Sequence, residues 1–367
     1  MHPILPYYCA ISLFALLGLR MSKPEDRTMV WLSGWGAMTV VLVASVSREI
    51  SGDTGRYYIA FTRMAGTSFS QMWAETNNNW LFAVVNWILA QFGTHPLWLI
   101  LPVTLFCIVM MRHSLRQLMG PTSTAIAILL YSAYPFFIFY VSSGIKQAIA
   151  MALLFQGYVY LYRRRSRISL IWFIMAPMFH SGAILVFPFV LLHWMLWRPF
   201  IGYKRAFSFS IGALLVCMAL SYTGYNQSLM SFVEPYASFS RSYDIYFMDA
   251  TDFNYRAGFR LDFTLFSLVP FAAAAWLKGK ERGLTSGVSG WWLNLYTLLA
   301  CIYQLFAFAP FSDRFAGFAW YLIPAILVIM LVDSNAQRPR QIVVFAFSLL
   351  NILVLQFYTG LSLRVDI

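Results

Sequence analysis

Apolar runs close to the length of a bilayer crossing recur along almost the whole of this 367-residue chain, separated by short polar loops. They cover about 3–19, 29–47, 97–111, 122–140, 144–162, 168–179, 182–197, 206–222, 263–277, 291–308, 316–332 and 341–358. A crossing helix needs about 20 apolar residues. No alternation of period two competes with this pattern. The reading is an all-α polytopic membrane protein of about 12 transmembrane helices, forming a single transmembrane domain over 1–367.

Two polar stretches are longer than the rest, about 48–79 and 223–262. Within the first, IAFTRM and FSQMWAE carry apolar residues at helical spacing, which predicts short amphipathic helices at the membrane surface. The run WLFAVVNWILAQFG, 80–93, is short for a crossing. It decides the parity of the chain. If it is re-entrant or interfacial, the basic loops 20–28, 112–120, 163–167, 198–205, 278–282 and 333–340 share one side, with 17 Lys/Arg and 4 Asp/Glu. The other side holds 9 Lys/Arg and 10 Asp/Glu. This is the asymmetry of cytoplasmic and outer loops, so both termini and both long stretches are expected outside. The segment at 168–180, with Pro177, is the alternative half-crossing element.

Composition agrees: 60% of residues are hydrophobic and 11% charged, against about 25% charged in soluble domains. The net charge of +12 lies in loops between apolar runs, so no nucleic-acid partner is expected. The four cysteines sit inside apolar segments and read as packing residues. The first run lacks a charged n-region and a cleavage site, and reads as a retained helix.

The charged residues expected outside cluster near span ends, where an ionised group normally faces a cavity or a partner. The hairpin 141–182 turns at Arg163-Arg164-Arg165-Ser166-Arg167 and brings Lys146-Gln147 and His180-Ser181 to its far end. Lys146 would open an outward-starting helix, whose dipole already favours anions. His180 follows Pro177, and a neutral imidazole there suits taking a proton from a sugar hydroxyl; a packed, hydrogen-bonded histidine is the bland alternative. In Asp53-Thr54-Gly55-Arg56-Tyr57-Tyr58, Arg56 offers a planar fork of donors for phosphate. Tyr57 and Tyr58 offer stacking faces for sugars, unless Asp53 and Arg56 simply pair. The aromatic and charged stretch up to Asp262, with Arg256 and Arg260, suits a carbohydrate groove or a solvated loop equally. Asp313-Arg314, in a short outer turn, reads as a site or as a local pair.

These residues, in this order, resemble the EpsG/Wzy class of polysaccharide polymerases, which includes many O-antigen polymerases. The resemblance rests on Gly52-Asp53 followed by Tyr57, Tyr58 and Phe61, the stretch Trp80 to Gly93, Lys146-Gln147-Ala148-Ile149-Ala150, Phe179-His180-Ser181 and Arg314-Phe315. It covers most of 30–200; the later half matches in general character. Lys146 stands where the family usually has Arg, which keeps the charge and loses the bidentate fork.

The resemblance implies a glycosyltransferase on the periplasmic face of the bacterial inner membrane; no metal-ligand spacing appears in the sequence, so a metal-independent, cofactor-free enzyme is expected. Such an enzyme moves a growing glycan from undecaprenyl diphosphate to a lipid-linked repeat unit in lipopolysaccharide or exopolysaccharide synthesis. Its partners would be the undecaprenyl-diphosphate-linked oligosaccharide, membrane lipid and a chain-length-regulating co-polymerase. Arg56, Lys146 and Arg314 would hold diphosphate. His180 or Asp53 would handle the acceptor hydroxyl. Tyr57, Tyr58, Gln147, Asp313, Arg256 and Arg260 would contact glycan. The rival readings are a flippase of lipid-linked glycans, which predicts polar residues along mid-span, and an O-antigen ligase-type transferase, which shares the donor.

Overall fold

The computed structural model describes residues 27–46, 52–76, 78–197, 202–229, 257–278 and 287–333, and these are helical with short connections. The apolar runs expected at 3–19 and 341–358, much of the second long polar stretch, and Arg256 lie outside the described residues. The described residues gather into two compact units, one within 1–180 and the other within 181–334.

The first unit holds α1 (Arg27–Val46), α2 (Gly52–Met64), α3 (Phe69–Glu75), α4 (Trp80–Ala90), α5 (Leu97–Leu118), α6 (Pro121–Ser132), α7 (Pro135–Ser142), α8 (Ile145–Tyr162) and α9 (Ser166–Phe179). Of the two short helices expected in the first polar stretch, FSQMWAE is α3, and IAFTRM is the second half of α2, which begins at Gly52 and takes in the Asp53–Tyr58 segment that could have been a loop. Ser68 caps α3 with a full capping box, its hydroxyl accepting from the Gln71 amide while the Gln71 side chain accepts from the Ser68 amide. The short run at 80–93 forms the 11-residue helix α4.

The apolar run at 122–140, expected as one crossing, is two helices bent by 71°. Pro135 causes the break. The residue before a proline is driven out of the α region, and Tyr134 sits at φ −90°, ψ 114°.

Helix α8 is buried on nearly every side, as an all-round apolar helix must be. Polar side chains tie neighbours to it. The Ser114 hydroxyl on α5 bonds the Gln156 carbonyl oxygen at 2.6 Å, and the Ser169 hydroxyl on α9 donates to the Gly157 carbonyl at 2.7 Å. Gly157 lets α9 come this close: a Cβ there would lie 2.8 Å from the Phe173 ring.

The second unit holds a 3-10 turn (Ser181–Val186), α10 (Phe187–Leu196), α11 (Tyr203–Thr223), a second 3-10 turn (Tyr225–Leu229), α12 (Leu261–Ser267), α13 (Val269–Lys278), α14 (Gly287–Leu305), α15 (Asp313–Trp320) and α16 (Ile323–Asp333). Its centre is α14, buried from Ser289 to Gln304. Asn294 on α14 donates to the Ala206 carbonyl at 3.1 Å and to the Ser210 hydroxyl at 2.8 Å. Its Oδ1 therefore accepts from His193 Nδ1 at 2.7 Å, which fixes the imidazole proton on that nitrogen. One amide thus joins α10, α11 and α14.

Among the described residues, three stretches are long and apolar enough to cross a bilayer: Leu97–Leu118, Tyr203–Thr223 and Asp313–Val332. The bent pair α6–α7 makes a fourth if it is one span. The chain is a helical membrane protein; twelve crossings is the count expected from the sequence.

Candidate functional site

In the first unit, the site is built where α2, α4 and the start of α8 meet. Helix α2 is amphipathic. Thr54 and Phe61 are buried, while Arg56, Ile59 and Ala60 are exposed. The Thr54 hydroxyl donates to the Ser142 carbonyl at 3.2 Å, which pins α2 beside the break between α7 and α8. At that break the chain passes through Gly144, where a Cβ would lie 2.9 Å from the Tyr140 ring. A bulkier residue there would push Tyr140 away and move the start of α8.

Lys146 lies in the first turn of α8. Its Nζ sits 5.1 Å from the Tyr57 ring centroid and 5.0 Å from that of Phe82. Tyr57 and Phe82 meet edge to face, with centroids 5.8 Å apart. An ammonium is attracted to such ring faces, so two aromatic rings hold the Lys146 charge in place. The charge stands at a helix start, where backbone N–H groups present further positive potential. Arg56, one residue before Tyr57, adds an exposed guanidinium on α2. The arrangement can take an anion, and a diphosphate suits it in charge.

His180 caps the C-terminus of α9 in extended conformation, its amide donating to the Ala176 carbonyl at 3.0 Å. The antiparallel register that sets Ser169 beside Gly157 places His180 and Lys146 at the same end of the α8–α9 hairpin. Each is about 16 Å from that contact at 1.5 Å per residue. The hairpin expected from the sequence is therefore present, with the arginine knot at its other end. Gln147 is buried in the first turn of α8. Tyr58 is half-buried and, among the described residues, makes no ring contact or hydrogen bond. Asp53 begins α2; its side chain lies outside the described residues.

In the second unit, Arg260 pairs with Asp262 through two hydrogen bonds, Nε to Oδ1 at 3.2 Å and Nη2 to Oδ2. The guanidinium lies over the Phe263 ring, 3.6 Å from its centroid. Partial burial pushes the Asp262 carboxyl up. The bond and charge of Arg260, with backbone amides, outweigh that and hold it below the usual carboxylate value.

Behind the pair, Phe263 and Phe266 pack edge to face on Trp320. Trp320 donates to the Ser267 hydroxyl at 2.8 Å. The segment before Arg260 is anchored by the Gly258 amide on the Ala307 carbonyl at 2.8 Å, with Gly258 at φ +92°.

Asp313 and Arg314, expected in a turn, open α15 instead; Asp313 is buried. The Arg314 guanidinium lies 4.8 Å from the Phe311 centroid. The Tyr303 side chain is buried. Its ring packs against Phe263 and Trp320, with centroids 5.7 and 6.4 Å away.

Sequence reasoning did not find Phe82, Phe311 or Tyr303. Each sits in an apolar or aromatic stretch with no local mark of function. Among the described residues no three His, Cys, Asp or Glu side chains converge as metal ligands.

Neither a curated protein nor a solved structure matches the chain. The model of the EpsG family matches residues 35–364, nearly the whole length and both halves of the site-bearing sequence. The chain therefore belongs to the EpsG family, the family of Wzy-type polysaccharide polymerases, and is a membrane glycosyltransferase of the polysaccharide-polymerase type.

Proposed function

We propose that the protein lengthens a glycan on the outer face of the bacterial inner membrane. It transfers a growing chain from undecaprenyl diphosphate to the non-reducing end of a lipid-linked repeat unit. The observation that carries this reading is the Lys146 ammonium, held between Tyr57 and Phe82 at the start of α8.

The chemistry follows from the groups present. An acceptor hydroxyl oxygen attacks the anomeric carbon of the donor glycan. The bond from that carbon to the diphosphate oxygen breaks, and the electron pair leaves with undecaprenyl diphosphate. Negative charge grows on that oxygen, and fixed cations in a low-dielectric site favour it. Lys146 supplies this charge as a point, and Arg56 adds a fork for phosphate oxygens. The proton of the acceptor hydroxyl passes to a base, His180 or Asp53. Arg314 in the second unit is assigned to diphosphate as well. Tyr57, Tyr58 and Gln147 are assigned to glycan in the first unit, and Arg260, Asp313 and Arg256 in the second. No step in this scheme needs a metal ion.

The test is turnover of a lipid-diphosphate oligosaccharide by the purified full-length protein in detergent with chelator present. Products are separated by length. A ladder of regular steps that collapses in Lys146→Ala and Arg56→Ala supports the reading. Movement of intact lipid-linked glycan across liposomes without elongation would replace it with a flippase. A single transfer to a lipid A core acceptor, with no ladder, would replace it with a ligase.

A further inference from the structure

At the end of α5 away from its start at Leu97, two arginines share one indole. The Arg112 guanidinium carbon lies 5.3 Å from the Trp31 ring centroid on α1, and that of Arg116 lies 5.6 Å from the same ring. Arg112 is also 5.0 Å from the Trp35 ring. Two like charges thus converge on one side chain, and no carboxylate among the described residues bonds either. The Arg112 Nε is buried without an acceptor. Cation–π contact offsets part of the repulsion, and the negative end of the α5 dipole acts on Arg116, in its last turn. Neither supplies an acceptor for the buried N–H. Leaving such a donor unmatched is unfavourable. An anion bridging the two guanidinium groups would satisfy it and remove the repulsion.

The surroundings say which anion. Leu101, Leu105 and Val109 are exposed apolar side chains four residues apart on α5. They form a stripe that runs along the helix and ends at Arg112. Helix α5 is long and apolar enough to span a bilayer. Arg112, 15 residues after Leu97, is about 22 Å along it, towards the depth of the lipid head groups. Trp35, 40% exposed, stands at the same level, as interfacial aromatics do.

We infer that Arg112 and Arg116, clamped on Trp31 and Trp35, bind the phosphate of an anionic phospholipid, with an acyl chain lying along Leu101, Leu105 and Val109. The basic loop after α5 is on the side read as cytoplasmic, so the lipid would come from the inner leaflet. This site is separate from Lys146 and does not depend on the catalytic reading.

The full-length protein in detergent with added phosphatidylglycerol tests it, by native mass spectrometry. The wild type is expected to keep one phosphatidylglycerol at collision energies that strip phosphatidylcholine. Arg112→Gln/Arg116→Gln should lose it. Arg164→Gln/Arg167→Gln, which removes two exposed arginines from the basic knot, should keep it. Equal retention in both double variants, or equal loss, overturns the proposal. If the first variant does not fold, Arg112→Lys/Arg116→Lys keeps the charge but not the planar fork. It should hold the lipid more weakly, and unchanged retention there would count against the site. Protection of lipid-free protein by inorganic phosphate as strong as that by phosphatidylglycerol would assign the site to a soluble anion instead.

Discussion

The Lys146 Nζ sits 5.1 Å from the Tyr57 ring centroid, although 88 residues separate the two in the chain. This contact converts two distant sequence features into one cation site. A contact of this kind contributes about 0.5–2 kcal/mol. Tyr57→Leu is expected to raise the KM for the lipid-diphosphate donor by about twofold to thirtyfold, with a smaller change in kcat. Lys146→Gln should depress kcat as well, because it removes charge needed as the diphosphate departs. Steady-state kinetics on both variants and their double check this. Strictly additive effects would show that the ring does not act through the lysine.

His180 and Asp53 compete for the acceptor hydroxyl. General base catalysis contributes about 10²–10⁴-fold. One of His180→Ala and Asp53→Asn should lose that much in kcat while keeping donor binding, and the other should lose far less. Elongation rates measured across pH separate them, since a histidine base gives an acid limb near neutrality. Losses below tenfold in both variants would remove them from the chemistry.

Gly157 faces the Phe173 ring at the α8–α9 contact. Adding a Cβ 2.8 Å from that ring should destabilise the protein by about 1–3 kcal/mol. Phe173→Leu introduced with Gly157→Ala should restore part of it. Thermal unfolding in detergent reads both. A Gly157→Ala protein as stable as the wild type would mean the ring moves aside freely.

Asp262 carries a pH dependence. Its folded carboxyl titrates below its ordinary value, net of a burial effect that acts the other way. A depressed carboxyl stabilises the fold fully above its unfolded value, and the contribution disappears as pH falls through the folded one. The wild type should therefore be more stable than Asp262→Asn at neutral pH, and the difference should shrink on acidification below the ordinary carboxylate range. Melting curves of both proteins over that range test the sign. A gap that widens in acid would show that Arg260 does not hold the carboxyl down.

By itself the sequence determined the class of the protein, because membrane burial is written in local composition. Long apolar runs have no other stable place, and every backbone group in them must be satisfied within a helix. The α8–α9 hairpin was also legible, since an arginine knot between two apolar runs fixes a turn and carries Lys146 and His180 to its far end. The amphipathic spacing of IAFTRM and FSQMWAE marked the second half of α2 and the whole of α3, while the first half of α2, from Gly52, was not marked.

Only the tertiary structure decided what stands beside those ends. Phe82 looks like any other aromatic in an apolar run, and it becomes part of the site because α4 packs on α2 next to the start of α8. Tyr303 is likewise an ordinary residue of a buried helix until Phe263, the ring beneath Arg260, packs against it. The bend at Pro135 lay between the two cases. Proline restricts its neighbour locally, but whether a membrane helix kinks or breaks depends on what its packed surroundings can satisfy. Contacts between residues far apart in the chain leave no periodicity behind, so composition and spacing define the elements and packing chooses their partners.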